Sequence, residues 1–473
     1  MSITQILALT GLAALLGLLR RGRSLALVGF SVLVIYWIQP PSLVFPSLSF
    51  WLPTLTIFIT ALIWAITAPA QSRNLRENGP ALAVLIGAIL VVVLAGRLPL
   101  KLNFLPTAPS IFLVGGVLLI FLALLAGLSL LRTGNRLLLF LGGVGILAIF
   151  VFLKAPWLSQ QLLALASNLR GREFDPTVRI SISWLGYSYV AFRLLHTIRD
   201  RQSGVLPAVG LAEYVNYVIF FPSFTSGPID RLERFVKELR EPLPLTNEDW
   251  LFAGQRLALG LFKKFFIADL LNLVSLTDVL VTQTRTSGWL WYVLYAYSLR
   301  LYFDFSGYTD IAIGMGRLLG IRLPENFNAP FLKSNLTQLW NSWHMTLTQW
   351  FRAYFFNPFT RFLRTRKRTL QLWLIILLTQ ISTMLLIGLW HGIAVNFVLW
   401  GLWHGVGLFV QNRWSEFVRV RFPNLGSTPF WRNVLYVGGV FLTFTYFSLG
   451  LVFFALSTPQ IAFAALLKLF GMS

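Results

Sequence analysis

The sequence of 473 residues contains no cysteine, which limits the chemistry that any site in it can use. Without a thiol there is no thiolate nucleophile, no cysteine-ligated metal and no disulfide bond. Any group transfer that the protein catalyses must therefore be direct or pass through another nucleophile. We expect neither a metal site nor a bound cofactor.

Charged residues are scarce, at 12% of the chain, which is about half of their share in a soluble globular domain. Hydrophobic residues make up 56% of the chain, and the mean hydropathy is +0.71. The apolar runs are long and continuous, which favours membrane helices over a β-barrel. The sequence therefore predicts an all-α, polytopic transmembrane helical bundle in the cell (plasma) membrane, with about 11–14 membrane segments, some of them re-entrant.

Acidic residues are scarcer than basic ones. The chain has 17 Asp and Glu against 39 Lys and Arg, which gives a net charge of +22. In a soluble protein this balance would suggest nucleic-acid binding. Here the basic residues lie in short loops between apolar runs, the pattern of cytoplasmic loops. We expect contact with membrane lipid and no nucleic-acid partner, with both termini outside and the basic cluster at 361–368 in the cytoplasm.

Histidine is also rare, with four residues in the chain, and His391 has the most informative position. It lies in a Gly-Leu-Trp-His-Gly motif at 388–392, between two long apolar runs. Ionisable groups at membrane depth usually face a bundle interior or a water-filled cavity. About 23 residues, or roughly 35 Å of helix, separate it from Arg368, so we expect it near the outer face or in a funnel open to that side. The alternative is a helix-end histidine satisfied by a neighbouring carbonyl.

A second histidine, His344, lies on a predicted helix and shares its apolar face with Trp340, Leu347 and Phe351. This position fits either a functional group inside the bundle or a packed core histidine. Asn396 follows His391 within about one turn and is a further hydrogen-bond donor.

Two carboxylates, Asp304 and Asp310, interrupt an otherwise apolar and aromatic segment. A charged group in such a segment is expected to have a partner. Pairing with Arg300 or Arg317 and a direct role in a site both remain open for them.

These motifs together resemble one family, the membrane-bound O-acyltransferases (MBOAT). The Trp-His-Met-Thr-Leu run at 343–347 precedes the Trp-His-Gly run at 390–392 by about 47 residues. Further similar runs lie at 221–231, 303–308 and 324–328. The Ser-Gly-Pro-Ile-Asp-Arg run at 226–231 is more similar to the DltB-type branch, which transfers D-alanine to teichoic acids, than to the branch that acetylates alginate. The resemblance covers roughly 179–407.

The resemblance implies the reaction. It implies transfer of an activated acyl group, D-alanyl or acetyl, from a cytoplasmic thioester donor to hydroxyls of an extracytoplasmic cell-envelope polymer. The donor is then a co-substrate, either a phosphopantetheine acyl-carrier protein or acyl-CoA, and the acceptor is an envelope glycopolymer. The resemblance also implies a tunnel in which the two substrates meet.

Acyl transfer to an alcohol needs a base for the hydroxyl and a stabiliser for the oxyanion. Histidine has an unperturbed pKa near neutrality, so His391 is the candidate general base. The oxyanion could be met by His344 or by a backbone amide near Gly392. We therefore predict His391 and His344 as catalytic residues. The predicted substrate-binding residues are Asn396, Trp343, Trp390 and Asp304.

The chain also departs from the family's pattern. Family members commonly carry Arg-Asp-Tyr where this chain has Ala353 between Arg352 and Tyr354. The shorter members lack an equivalent of about the first 50–60 residues. We accordingly predict an N-terminal scaffold at 1–178 with appended spans, an MBOAT catalytic core at 179–420 and a C-terminal transmembrane segment at 421–473.

Two other functions are open for such a sequence. A transporter or flippase could use the histidines as a proton relay, and an inactive scaffold could recruit partners through the basic cluster. A transporter built from repeats should show similar halves, whereas here the polar motifs crowd the second half. That asymmetry favours the enzyme.

Overall fold

The computed structural model describes residues 1–19, 21–42, 45–97, 106–169, 182–241, 244–366 and 370–472. Every regular element in these ranges is a helix, which confirms the predicted all-α fold. The chain divides into two compact units, Met1–Leu257 with Ile311–Leu323, and Ala258–Asp310 with Pro324–Ser473. The predicted division at 178 and 420 stays a prediction.

The first unit begins with the N-terminal apolar helices. Its helices are α1 Ile3–Gly17, α2 Arg23–Ile38, α3 Leu48–Thr67, α4 Leu75–Ala95, α5 Ile111–Leu130, α6 Arg136–Lys154, α7 Pro156–Leu169, α8 Tyr187–Gln202, α9 Leu211–Val218 and α10 Leu232–Arg240, with most of α11 Asn247–Phe262.

The second unit contains the remaining helices, together with short π-helical turns at Lys263–Ala268 and Arg352–Phe356. Its helices are α12 Asp269–Asn272, α13 Asp278–Gln283, α14 Ser287–Leu318, whose last turns belong to the first unit, α15 Leu336–Trp340, α16 Met345–Phe351, α17 Asn357–Arg364, α18 Leu372–His391, α19 Val395–Arg421, α20 Pro429–Ala455 and α21 Pro459–Leu469.

Among the described residues, six helices are long and apolar enough to cross a membrane. They are Leu48–Thr67, Arg76–Ala95, Ile111–Leu130, Arg136–Lys154, Leu372–His391 and Pro429–Ala455. In two of them, α5 and α6, only 22% and 11% of the apolar stretch is buried inside the protein. The exposed apolar side chains of these two helices are suited to lipid rather than to water. The protein is thus a multi-pass membrane protein, as predicted; the expected total of about 11–14 segments stays a prediction.

Irregular backbone between 211 and 228 is followed by an amphipathic helix. Helix α9 ends at Val218, and a 3₁₀ turn at Phe221–Ser223 follows. Helix α10 buries Leu232, Phe235, Val236 and Leu239, the apolar stripe that its sequence predicts. The first unit thereby places an amphipathic helix directly after irregular backbone.

Helices α18 and α19 form a hairpin with glycines along its seam. A Cβ at Gly388 would lie 2.2 Å from the carbonyl oxygen of Phe397, and one at Gly401 would lie 2.7 Å from that of Met384. Small residues let membrane helices approach until their backbones touch. The seam therefore fixes the end of α18, where His391 lies, against α19.

We expect Gly388→Ala to destabilise the protein, because its methyl group would meet backbone that cannot rotate away. Overpacking of this kind typically costs about 1–3 kcal/mol. The matched control is Gly438→Ala in α20, where a Cβ meets no atom within 4 Å. Thermal unfolding in detergent compares the two variants. Equal melting temperatures for them would contradict the tight seam.

Candidate functional site

His391 ends α18, and aromatic rings surround its partly buried imidazole. The imidazole centroid lies 4.5 Å from that of Trp390, 4.8 Å from that of Phe454 and 5.6 Å from that of Trp400. Gly392 follows directly, and a Cβ there would come within 2.5 Å of the Phe397 ring. The glycine therefore lets Phe397 close one side of the histidine's surroundings.

His344 does not lie on a continuous helix, so the predicted helix through it is wrong. Helix α15 ends at Trp340, and α16 begins at Met345. The backbone of His344 has φ 42°, a left-handed conformation that few residues other than glycine adopt. The ring is buried at 4% exposure. The histidine is thus held at a turn between two short helices.

Asn326, which the sequence analysis did not select, holds this turn. The backbone N–H of Met345 donates to its carbonyl oxygen at 2.9 Å, and the Thr346 hydroxyl donates to its Oδ1 at 2.6 Å. Asn326 is fully buried. It belongs to the Pro-Glu-Asn-Phe-Asn run at 324–328. The resemblance of this run to the family was the feature of the sequence that could have pointed to Asn326. Its contacts replace the helical bonds that a helix through His344 would have made.

His344 and His391 line one cavity of about 70 Å³, here called the central cavity. The Trp390 ring is near both of them, 4.5 Å from His391 and 6.2 Å from His344 between centroids. Trp343, also predicted, lines the cavity and stacks on Phe331 at 5.6 Å. The lining residues are Leu301, Phe305, Trp340, Trp343, His344, Leu347, Thr348, Ile387, Trp390, His391, Trp400, Phe447, Leu451 and Phe454.

Asp304, predicted to bind substrate, is not among the residues lining this cavity. It forms an ion pair with Lys264, and Asp310 forms one with Lys263 at 2.7 Å. The expected partners Arg300 and Arg317 are wrong, and Arg317 pairs with Asp249 at 2.7 Å. The two lysines lie in a π-helical turn, and both reach carboxylates of α14.

A second cavity of about 190 Å³, the Arg352 cavity, shares Trp340, Thr348 and Ile387 with the central cavity. Its wall is more polar, and Arg352 in it donates to Asn341 Oδ1 at 2.6 Å. The lining residues are Thr337, Trp340, Asn341, Thr348, Phe351, Arg352, Phe356, Gln380, Thr383, Met384, Ile387, Leu408 and Asn412.

A third cavity of about 550 Å³, the Asp278 cavity, shares Phe454 with the central cavity. Asn396, predicted to bind substrate, lines this cavity and not the central one. Its amide donates to the Leu456 carbonyl at 2.6 Å. The lining residues are Thr277, Asp278, Val279, Ala394, Asn396, Phe397, Phe453, Phe454, Ala455, Leu456 and Ser457.

The three cavities follow one another along the bundle. Along α18 and the turn after it, the Arg352 cavity touches 380–387, the central cavity 387–391 and the Asp278 cavity 394–397. The Arg352 cavity and the Asp278 cavity share no lining residue. The part of this order that lies on α18, from 380 to 391, covers roughly 17 Å at about 1.5 Å per residue, and the chain then turns back into α19. The central cavity, which contains His391, therefore borders both of the other cavities.

The other two histidines lie outside the central cavity. His404 is fully buried, with its ring centroid 4.9 Å from that of Trp400. His196 lies in the first unit, 3.0 Å from Asp200. Within the described ranges, no three His, Asp or Glu side chains lie close enough to hold a metal ion.

Comparison with known families gives one matching model, that of MBOAT, the membrane-bound O-acyltransferase family. It matches residues 161–454, which include both cavity histidines and every residue lining the three cavities except Ala455, Leu456 and Ser457 of the Asp278 cavity.

Curated relatives match part of the chain. The teichoic acid D-alanyltransferase of Bacillus subtilis (strain 168) is 34% identical over 244 residues, 50% of this chain and 61% of that protein. The enzyme of that name from Streptococcus thermophilus is 31% identical over 301 residues, 59% and 71% of the two chains. The probable alginate O-acetylase AlgI of Pseudomonas aeruginosa is 34% identical over 229 residues, which are 48% of this chain and 42% of that protein. The match thus covers less than two thirds of the first and third of these relatives.

Proposed function

Because the chain belongs to the membrane-bound O-acyltransferase family, we propose that it transfers an activated acyl group from a cytoplasmic thioester donor to hydroxyls of an extracytoplasmic envelope polymer. The acyl group is D-alanyl or acetyl, the groups that the relatives' names indicate. The observation that carries the proposal is the central cavity. Two histidines line it, and it borders two further cavities that share no residue with each other.

In the proposed reaction His391 is the general base. Its imidazole takes the proton of the acceptor hydroxyl while the hydroxyl oxygen attacks the thioester carbonyl. Collapse of the tetrahedral intermediate forms the ester and breaks the carbon–sulfur bond, and the imidazolium returns the proton to the thiolate. The aromatic rings around His391 keep this proton transfer away from bulk water.

His344 is the proposed oxyanion stabiliser. The backbone N–H of Gly392, the other candidate, already donates to the Gly388 carbonyl at 3.3 Å. His344 lines the same cavity as His391 and is held by a clamped turn, so its position is set before substrate arrives. A preorganised donor of this kind is usually a large contribution to catalysis.

The Arg352 cavity is the proposed route for the donor. A phosphopantetheine arm is long, narrow and carries amides, and this cavity offers matching polar groups on Asn341, Gln380 and Asn412. Gln380 Oε1 is buried and accepts no hydrogen bond within the described part of the chain. Arg361, Arg364 and Arg366 follow in the sequence and would attract an acidic carrier protein or the phosphates of acyl-CoA.

The acceptor is proposed to be a glycopolymer of the cell envelope, and the membrane the plasma membrane. The relatives' names refer to teichoic acid and alginate. The transporter alternative gains no support from the family to which the chain belongs.

The proposal is tested in sealed vesicles with radiolabelled donor added outside and a polyol acceptor trapped inside. Thr365→Cys, exposed and on a cysteine-free background, reports orientation through a membrane-impermeant maleimide. We expect transfer only from the population of vesicles that labels on the outside. D-alanyl carrier protein and acetyl-CoA are compared as donors. Absence of transfer with both, or transfer only when donor and acceptor share one side, would contradict the proposal.

A further inference from the structure

The Asp278 cavity has an unusual electrostatic character for this protein. The whole chain carries 39 Lys and Arg against 17 Asp and Glu. None of the described residues that line this cavity is basic, and Asp278 is its acidic residue. Sites built for phosphate or carboxylate groups normally present Arg or Lys. The wall of this cavity therefore disfavours an anionic group.

Asn396 gives the cavity a hydrogen-bond acceptor that points to a ligand. The residue is only 5% exposed, and its amide nitrogen is anchored to the Leu456 carbonyl at 2.6 Å. Its Oδ1 is buried and accepts no hydrogen bond from the described residues. A buried acceptor of this kind is costly unless something donates to it. A hydroxyl group would satisfy it, whereas a fully ionised phosphate or a carboxylate has no proton to donate.

Asp278 adds a second acceptor group to the wall of the cavity. Its Oδ1 accepts from the backbone N–H of Ser457 at 3.1 Å, which ties the start of α13 to the segment after α20. Thr277 caps the same helix by accepting from the Leu280 N–H at 3.2 Å. The carboxylate is therefore held in place at the wall, where it accepts from hydroxyls and repels anions.

The Asp278 cavity also adjoins the central cavity, which contains His391. Phe454 belongs to the walls of both cavities, and its ring centroid lies 4.8 Å from that of His391. Phe454 is therefore shared by the Asp278 cavity and the surroundings of the imidazole. A group bound at Asn396 and Asp278 is thus adjacent to the reacting position.

We propose that the Asp278 cavity binds an uncharged, hydroxyl-bearing segment of the acceptor, and that Asp278 excludes a segment with a phosphate or carboxylate at that position. Asn396 Oδ1 and the Asp278 carboxylate accept hydrogen bonds from the hydroxyls. This inference rests on the proposed function and specifies its acceptor. An acidic polymer is then acylated only where a neutral sugar or polyol unit enters the cavity.

The test compares methyl β-glucoside with methyl β-glucuronide, two acceptors that differ by a hydroxymethyl group against a carboxylate. We expect the purified protein to acylate the glucoside with a kcat/KM at least about tenfold higher, as expected for one close charge repulsion. Asp278→Asn should bring this ratio close to unity by raising the value for the glucuronide. The matched control is Asp269→Asn, an exposed carboxylate outside the three cavities, which should leave the ratio unchanged.

The outcomes separate this inference from the proposed function. Equal acylation of both glycosides by the wild-type protein, or an unchanged ratio in Asp278→Asn, overturns the inference and leaves the function standing. Acylation of neither glycoside nor any polyol by a well-folded protein overturns both. A shift in KM for the glucuronide, with little change in kcat, is the expected signature of a binding effect.

Discussion

Replacing His391 with alanine is expected to lower acyl transfer by on the order of 10²–10⁴-fold, the usual contribution of a general base. The residue is the last of α18 and only partly buried, and its ring contacts are with aromatic side chains that pack on one another as well. Removing the imidazole should therefore leave the α18–α19 hairpin intact. The measurement is incorporation of labelled acyl groups, alongside yield and melting temperature in detergent.

His404→Leu is the matched control for this variant. His404 belongs to the same unit as His391, but it does not line the central cavity. Neither ring nitrogen of His404 has a hydrogen-bond partner within the described residues, so an apolar side chain of similar size should be tolerated. A wild-type rate of acyl transfer by a well-folded His391→Ala protein would contradict the catalytic role of His391.

His344→Gln is expected to lower turnover by on the order of 10²-fold or more, as the loss of an oxyanion donor typically does. The amide can still form hydrogen bonds, so a merely structural histidine would lose little. The position needs a left-handed backbone, with φ 42°, and glutamine tolerates that conformation less well than asparagine. A fall in activity could therefore come from strain instead of chemistry.

His344→Asn separates these two causes. Asparagine adopts the left-handed conformation readily, which keeps the turn, but its shorter amide does not reach the position of the imidazole. We expect a melting temperature close to that of the wild type, with turnover as low as that of His344→Gln. Normal turnover in His344→Gln would instead assign this histidine to structure and leave His391 as the sole catalytic candidate in the cavity.

Predictions made from local pattern were confirmed most closely. The apolar stripe of α10 and the start and end of the membrane helices follow from periodicity and run length, which are properties of neighbouring residues. The helix predicted through His344 failed for a reason outside that pattern. Asn326, about 18 residues earlier, takes the hydrogen bonds of the turn.

The pairing of charges in the second unit was equally beyond local reasoning. Asp304 and Asp310 were given partners on the basis of sequence proximity, yet the lysines that bind them lie 40 and 47 residues earlier, in the π-helical turn that follows α11. Which side chains meet depends on the close approach at Gly307, where a Cβ would lie 2.8 Å from the Gly260 carbonyl oxygen. The spacing of residues in the sequence does not predict such a close approach of two backbones.

By itself, the sequence determined that the protein is an all-helical, multi-pass membrane protein without thiol chemistry, and it selected His391 and His344 as the candidate catalytic residues. Composition, run length and residue type decide these properties, and none of them requires a partner across the fold. Only the tertiary structure decided that both histidines line one cavity, that Asn396 and Asp304 do not, and that Asp278 faces a neighbouring space. The reason is physical: a cavity is bounded by helices far apart in sequence, and its walls depend on how closely glycine seams let those helices pack.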